Sequence, residues 1–252
     1  MNHWLRPWAF ASLLLASTAT AGPGINLYYD DCGAGHPLTA ATSACATNDG
    51  VALTLVGSAI LPQVTRVGFC GAAVTCDVTV EGATLPDWWR MANPFSSDPA
   101  CRTNAIDFAM DGTVSPGCPT LWDTHPNVSV AFAVHDFAAG PNTVRLLGAS
   151  VLNSIDAYDL TGDGVTELGV FRFTIHQGQS TGSNACAGCA VRADITLREI
   201  NLQTLADTQE SIVRLTTPIR SNVVTWQGGL AAPDHTTPAR NRSWGAIKAL
   251  YR

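Results

Sequence analysis

The run of residues best suited to chemistry is an acidic, glycine-containing segment in the second half of the chain. Five oxygen-bearing groups lie there at alternate positions. Four are side chains, those of Asp159, Thr161, Asp163 and Glu167, and the fifth is the backbone carbonyl of Val165. Calcium in proteins takes about six to eight oxygen ligands, and a tight glycine-containing loop can wrap them around one point. No lysine or arginine lies between Arg145 and Arg172 to neutralise these carboxylates. The segment predicts a structural Ca²⁺ site; the alternative is an ordinary acidic turn in water.

Two adjacent tryptophans, Trp88 and Trp89, follow Leu85-Pro86-Asp87. Tandem tryptophans in an exposed loop can stack on sugar rings and form a ligand platform. They can equally plug one end of a β-sandwich, because each indole ring buries a large apolar area. Both interpretations remain open from the sequence, and we take the pair as the candidate ligand-binding residues.

The chain has eight cysteines, and their even number predicts disulfides in an exported protein. Closing a short loop costs little chain entropy, so neighbouring cysteines are expected to pair. This argument predicts the bridges Cys32–Cys45, Cys70–Cys76, Cys101–Cys118 and Cys186–Cys189. The last pair forms the chain's one Cys-x-x-Cys motif, for which a redox couple or half of a zinc site are the alternatives.

Motifs for catalysis are sparse. The chain contains no Gly-x-Ser-x-Gly, His-Glu-x-x-His, Gly-x-Gly-x-x-Gly or Walker sequence. A glycosidase needs two carboxyl groups at a set separation in space, which a sequence does not reveal. We therefore predict no catalytic residue and lean towards a protein that is not an enzyme.

The elements that must position these residues are predicted to be short strands. Apolar and polar residues alternate over 51–61, 76–80, 128–134, 168–176 and 193–202, with a further candidate at 222–226. In 128–134 the alternation places Val128, Val130, Phe132 and Val134 on one side. A change of phase near Arg198-Glu199 predicts a β-bulge. One helical turn is expected within 87–92.

Charged residues make up 13% of the chain, which is low for a helical protein. The pattern predicts an all-β fold, an antiparallel β-sandwich or jelly roll.

The ends of the chain have different compositions from the middle. Residues 1–21 read as a secretory signal peptide, with a short apolar run and a small-x-small site ending at Ala21. Residues 22–229 are predicted to form the β-sandwich domain, and 230–252 a polar linker followed by a C-terminal tail. Within the tail, Trp244, Ile247 and Tyr251 would share one face of a short helix. This segment is either a docking or sorting tag or a terminal helix packed on the sandwich.

Charge and hydropathy exclude several partners. The chain has 14 basic and 20 acidic residues, and Lys248 is its single lysine. Binding to nucleic acid requires clustered basic residues, so it is not expected. No stretch after the signal is long and apolar enough to span a membrane.

Two resemblances add to this interpretation. The acidic segment is similar to the calcium loops of FG-GAP and VCBS-type β-repeats and of dockerins, over about nine residues. Several patches resemble a family of uncharacterised secreted bacterial proteins: Leu85-Pro-Asp-Trp-Trp89, Cys186-Ala-Gly-Cys189, Thr225-Trp-Gln-Gly-Gly229 and Ser243-Trp-Gly-Ala-Ile-Lys-Ala-Leu-Tyr-Arg252. The family resemblance implies export and no particular activity.

The sequence thus predicts a secreted or cell-surface binding protein without enzymatic activity, with a carbohydrate or another envelope component as its ligand. A secreted glycosidase-like hydrolase is the first alternative. A structural subunit of an extracellular layer is the second.

Overall fold

The computed structural model describes residues 22–33, 38–93, 100–115, 117–122, 127–134, 140–152, 156–205 and 212–230. The described chain is almost entirely β-structure, as the alternating pattern predicts. Its strands are β1 Gly24–Tyr29, β2 Ala40–Ala41, β3 Val51–Ile60, β4 Thr65–Val80, β5 Ile106–Ala109, β6 Asn127–Val134, β7 Thr143–Leu152, β8 Tyr158–Thr161, β9 Glu167–His176, β10 Ala193–Thr204, β11 Ile212–Leu215 and β12 Val223–Trp226. A 3-10 turn at Asp87–Trp89 lies within the predicted helical turn.

The strands form two sheets. The smaller sheet has four antiparallel strands in the order β1-β3-β9-β5. The larger sheet has eight strands, with the order β2-β12-β10-β4-β7-β6. In addition, β11 pairs with the C-terminal half of β10, and β8 pairs with the N-terminal part of β4. All pairs except β2–β12 are antiparallel. The predicted bulge is confirmed, because the β10–β4 register shifts between Leu197 and Glu199.

Residues from both sheets share one hydrophobic core, so the fold is a β-sandwich. Its largest buried side chains include Trp88, Trp89, Trp122 and Trp226. The described strands from Gly24 to Trp226 all fall within the predicted 22–229 domain. The predicted signal peptide (1–21) and the C-terminal tail, including its predicted helix, lie outside the described residues. No helix in the described part of the chain has the length and hydropathy required to cross a membrane.

The predicted disulfide pairing is wrong. The structure contains the bridges Cys32–Cys118, Cys45–Cys189 and Cys101–Cys186, which join residues 86, 144 and 85 positions apart. Loop-closure entropy favours local pairs in an unfolded chain, but the fold decides which loops lie together. Bridges over such long loops stabilise a fold by about 4–5 kcal/mol each in the chain-entropy model. Disulfides of this kind are typical of an extracellular protein that folds in an oxidising compartment.

The predicted Cys70–Cys76 bridge is also wrong, since both thiols are free. Both residues lie on β4, where six residues of extended chain separate them by about 20 Å. A disulfide needs Cα atoms less than about 7 Å apart, so one strand cannot bridge these positions. Cys76 is fully buried, whereas Cys70 is half-buried.

Candidate binding face of the larger sheet

The two candidate ligand-binding tryptophans are part of the core. Trp88 and Trp89 are both 0% exposed and meet edge to face, with ring centroids 4.8 Å apart. Trp88 also stacks parallel to Trp226, and its indole N–H donates to the Ser180 hydroxyl at 2.9 Å. Of the two interpretations that the sequence leaves open, the structure supports the core plug, and neither indole ring is exposed for stacking on a sugar. They fill the end of the sandwich, because burying two indole rings removes much apolar surface from water.

A buried arginine completes this cluster. Arg102 is 1% exposed, and its guanidinium carbon lies 3.9 Å from the centroid of the Trp88 ring. The guanidinium donates to three backbone carbonyls, those of Trp88, His176 and Gly178. Burial lowers the pKa of Arg102 to about 10, so the group stays charged at neutral pH. Its contacts link the tryptophan cluster to the end of β9 and hold the fold together.

The Cys-x-x-Cys motif has a structural role. Cys186 and Cys189 belong to different bridges, to Cys101 and Cys45, and so do not form a redox pair with each other. The turn between them packs closely on the tryptophan cluster, and Gly188 has a φ of +112° there. A Cβ atom on Gly188 would lie 2.4 Å from Cβ of Pro86, so only glycine fits this approach. The motif ties two distant loops to the plugged end of the sandwich.

The acidic segment spans the end of β8 and the start of β9, and its side chains serve separate networks. The Asp163 carboxylate closes its own turn by accepting from the backbone N–H groups of Val165 and Thr166. A hydrogen bond from the Thr166 hydroxyl, together with these two backbone bonds, lowers the pKa of Asp163 to about 2. Asp159 accepts from the backbone N–H of Gly68, and the hydroxyl of Thr161 meets that of Thr65 at 2.9 Å.

Glu167 contacts different partners from Asp163. Its Oε1 accepts hydrogen bonds from the side chains of Asn26 and Ser58, at 2.8 and 2.5 Å, and from the backbone N–H of Gly33. Across the described residues, no three His, Cys, Asp or Glu side chains gather in a way that could hold a metal ion. The predicted side-chain ligands take part in these separate networks, and calcium binding at this loop stays a prediction.

The outer face of the larger sheet carries a different arrangement, built from rows of directly paired residues. One row crosses five strands from β11 to β6 through Arg214, Asn201, Ala73, Ala149 and Val130. The next row runs through Ile212, Gln203, Gly71, Val151 and Val128. Residues paired in this way lie on the same face of a sheet. Because the middle of both rows is glycine or alanine, the face is low at its centre and higher at its two sides.

An open depression of about 370 Å³, which we call the groove, extends from β11 across β10 to the low centre of this face on β4. Its lining combines small, amide, charged and aliphatic side chains: Ala73, Glu199, Asn201, Gln203, Ile212 and Arg214. Glu199 and Arg214 form an ion pair at 2.6 Å across the groove. Ile212 is 57% exposed. The groove thus offers an apolar surface, amide groups for hydrogen bonding and a charge pair within one area.

The other side of this face is a rim of three exposed valines, Val128, Val130 and Val151, which we call the valine rim. Their exposed fractions are 75%, 40% and 53%. On β6 the bulky residues point away from the core, whereas Ala133 is buried and Ala131 packs against the core. Exposed apolar residues that lie next to one another on one face of a sheet are a candidate interaction site. We refer to the groove and the valine rim together as the docking face.

An ion network borders the docking face. Asp77 is 1% exposed, and its carboxylate accepts from Arg145 at 2.7 and 2.9 Å and from Arg198 at 2.9 Å. This carboxylate raises the pKa of Arg145. Two arginines held by one buried carboxylate fix the strands β10, β4 and β7 relative to one another. These ion pairs therefore restrain the three central strands of the sheet that carries the docking face.

Sequence reasoning did not single out the docking face. The alternation in 128–134 correctly placed Val128, Val130, Phe132 and Val134 on one side, but it did not show that this side faces away from the core. Side-chain size would place the valines inward, because Ala131 and Ala133 on the other face of the strand are smaller. A half-buried strand normally directs its larger apolar side chains inward.

Comparisons with known proteins give one structural likeness. No family model matches the chain, and no curated protein matches it. Among solved structures, the chain is similar to the second type II cohesin module from the cellulosomal adaptor ScaA scaffoldin of Acetivibrio cellulolyticus. The two share 12% identity with a TM-score of 0.30, over 81% of this chain and 96% of that chain.

Proposed function

We propose that this protein is an extracellular binding protein without enzymatic activity, and that it binds a protein partner through the docking face. The observation that carries the proposal is the outward-facing valine rim beside a groove with a charge pair. Exposed apolar surface flanked by polar groups is the usual composition of a protein interface. The rigid sheet beneath it keeps these groups in place before the partner arrives.

A protein partner is favoured over a glycan because of where the aromatic residues lie. Sugar rings are typically bound by stacking on flat aromatic side chains, and Trp88, Trp89, Trp122 and Trp226 are all buried. The large hydrophobic side chains exposed in the described part of the chain are valine, leucine and isoleucine. These branched side chains suit apolar side chains of another polypeptide better than they suit a sugar face.

A binding role is favoured over hydrolysis because of how the half-buried and buried carboxylates are used. Asp77 is held by two arginines, Glu199 by Arg214, and Glu167 by Asn26, Ser58 and Gly33. A general acid or base needs a carboxyl group that can exchange its proton with a substrate. Groups engaged in this way act as structural supports.

Site-specific photo-crosslinking tests the proposal. A photo-reactive amino acid replaces Val130 in one version and Val51 in another, and each is exposed to extracellular and envelope fractions of the source organism. Val51 is a matched control, because it is a 50% exposed strand valine on the smaller sheet. We expect position 130 to capture a protein that position 51 does not.

The captured protein is then purified and its affinity measured by calorimetry. Ile212→Arg, on the opposite side of the docking face, is expected to abolish binding, and Val51→Arg, on the smaller sheet, is expected to preserve it. Equal capture at both positions, or equal affinity of both arginine variants, would contradict the proposal. Specific binding to a glycan array that is unchanged in both arginine variants would also contradict the proposal.

A further inference from the structure

The docking face has a candidate occupant within the same chain. We propose that the C-terminal segment Ser243–Arg252 folds back onto the docking face and covers the valine rim until a partner displaces it. The inference rests on the proposed function, since it names what regulates access to that face. Four features argue for it: where the described chain ends, how far the remaining residues reach, their apolar pattern and their charge.

The last described residue, Leu230, lies on the outer face of the larger sheet, which is the face that carries the groove and the valine rim. The backbone N–H of Leu230 donates to the carboxylate of Asp194 at 3.0 Å. Asp194 pairs with Thr225 and Thr79, whereas its neighbour Ala193 is fully buried, so Asp194 faces outward from the larger sheet. The chain therefore leaves the described structure on the same face that carries the groove and the valine rim.

The remaining chain is long enough to reach the docking face. Along β4, six residues separate Thr79, which pairs with Asp194, from Ala73 at the groove; this is about 20 Å of strand. From β10 to β6 there are three strand spacings, or about 14 Å. The linker 231–242 can span about 40 Å when extended. Ser243 can therefore reach the groove without strain.

The segment has an apolar pattern that matches the shape of the face. Trp244, Ile247 and Tyr251 would lie on one side at helical spacing, next to polar residues on the other side. The docking face is lowest where Gly71, Ala73 and Ala149 are paired, between Ile212 and the valine rim. Large apolar side chains on one side of a short helix suit such a depression, which is the helix-in-groove mode of recognition.

Charge favours association of the segment with the rest of the molecule. Residues 231–252 contain four basic and one acidic side chain. Residues 22–230 contain nine basic and 19 acidic side chains, a net charge of −10. Opposite net charges raise the local concentration of the tail near the domain. Charge does not select the docking face itself, because the charged groups on it and at its border are three arginines and two carboxylates; the apolar contacts make that selection.

The single lysine of the chain allows a direct test in the full-length protein. An amine-reactive reagent carrying a diazirine will label Lys248 and the chain's amino terminus only. After illumination at low protein concentration, mass spectrometry locates the crosslinked peptides. We expect Lys248 to crosslink within one molecule to peptides from β6, β7 or β11. Lys248→Arg is the matched control, because it keeps the charge but leaves only the amino terminus labelled.

Two further variants connect the crosslink to the docking face. Val130→Arg is expected to abolish the Lys248 crosslinks, and Val51→Arg, on the smaller sheet, is expected to leave them unchanged. Neither variant adds an amine. Because an exposed arginine on β6 could disturb the strand, circular dichroism and the melting temperature are measured for both, and Ile212→Arg serves as a second variant of the face.

Three results would overturn the inference: crosslinks from Lys248 to the smaller sheet, no crosslink to the sandwich, or crosslinks only between molecules. The last would mean that the tail docks on a second copy. Failure here is distinct from failure of the proposed function. If position 130 still captures a partner while Lys248 crosslinks elsewhere, the docking face binds a partner without a regulating tail.

Discussion

The guanidinium carbon of Arg102 lies over the indole ring of Trp88, 3.9 Å from the ring centroid, and both side chains are buried in the core. Three backbone carbonyls accept the N–H groups of the guanidinium. A planar fork of donors is a property of arginine that lysine does not share. The contact therefore depends on the shape of the side chain as much as on its charge.

We expect Arg102→Lys to destabilise the protein by about 2–4 kcal/mol, because an ammonium cannot satisfy three carbonyls in this geometry and leaves buried acceptors unpaired. Urea unfolding monitored by circular dichroism measures the change. Arg192→Lys, at an exposed position, is the control and should change stability by less than about 0.5 kcal/mol. Equal stability of the two variants would show that the Arg102 network does not hold the core.

The two adjacent tryptophans should respond differently to replacement by phenylalanine. Trp88→Phe removes a hydrogen bond to Ser180 and weakens the contacts with Trp226 and Arg102. Trp89→Phe removes a buried indole N–H that has no hydrogen-bond partner among the described residues. Because both variants lose a similar apolar volume, we expect Trp88→Phe to be the less stable by about 1–2 kcal/mol. Urea midpoints measured side by side check the order; a less stable Trp89→Phe would contradict it.

The disulfide pattern predicts two thiols in the unfolded, non-reduced chain. Peptide mapping without reduction should recover Cys32–Cys118, Cys45–Cys189 and Cys101–Cys186 as linked peptides. In the native protein we expect a maleimide to modify the half-buried Cys70 and to leave Cys76 unmodified. Complete burial of Cys76 and the nearby carboxylate of Asp77 raise its pKa well above the usual value, which disfavours the reactive thiolate.

Denaturant provides the control for the thiol measurement, since both cysteines should react once the core is open. Recovery of a Cys70–Cys76 peptide, or of four bridges, would contradict the structure. Rapid modification of Cys76 in the native state would contradict its position in the core.

Asp31 should make the region around the Cys32–Cys118 bridge sensitive to acid. Burial opposes ionisation, but hydrogen bonds from the Ser115 hydroxyl and the backbone N–H groups of Cys32 and Gly117 outweigh it and lower the pKa of Asp31. A carboxyl group with a depressed pKa in the folded state stabilises the fold above its unfolded pKa of about 3.9. That contribution is lost as the pH falls through the folded-state value.

We therefore expect Asp31→Asn to lower stability at pH 7 by about 1 kcal/mol and to differ little from the wild type near pH 2. Thermal unfolding across this pH range measures the difference. Asp30→Asn is the adjacent control: asparagine tolerates the positive φ of 63° at this position, so we expect no comparable loss. A stability difference for Asp31→Asn that persists unchanged at pH 2 would contradict the argument.

Local patterning was sufficient to predict much of the fold. Strands over 51–61, 128–134, 168–176 and 193–202, the bulge near Arg198-Glu199 and the helical turn at Asp87 all depend on neighbouring residues. Their side chains alternate with a period of two, and a change of phase marks an extra residue. Such features follow from backbone geometry and do not require knowledge of the partner strand.

The sequence by itself determined the all-β class, the positions of these strands and the presence of cysteines suited to export. Only the tertiary structure decided which cysteines meet, that Trp88 and Trp89 are buried, and that Val128 and Val130 face outward. A period of two shows which residues share a face of a strand, but not which face meets the core. That choice, like the pairing of Cys45 with Cys189 across 144 residues, depends on how distant segments pack together.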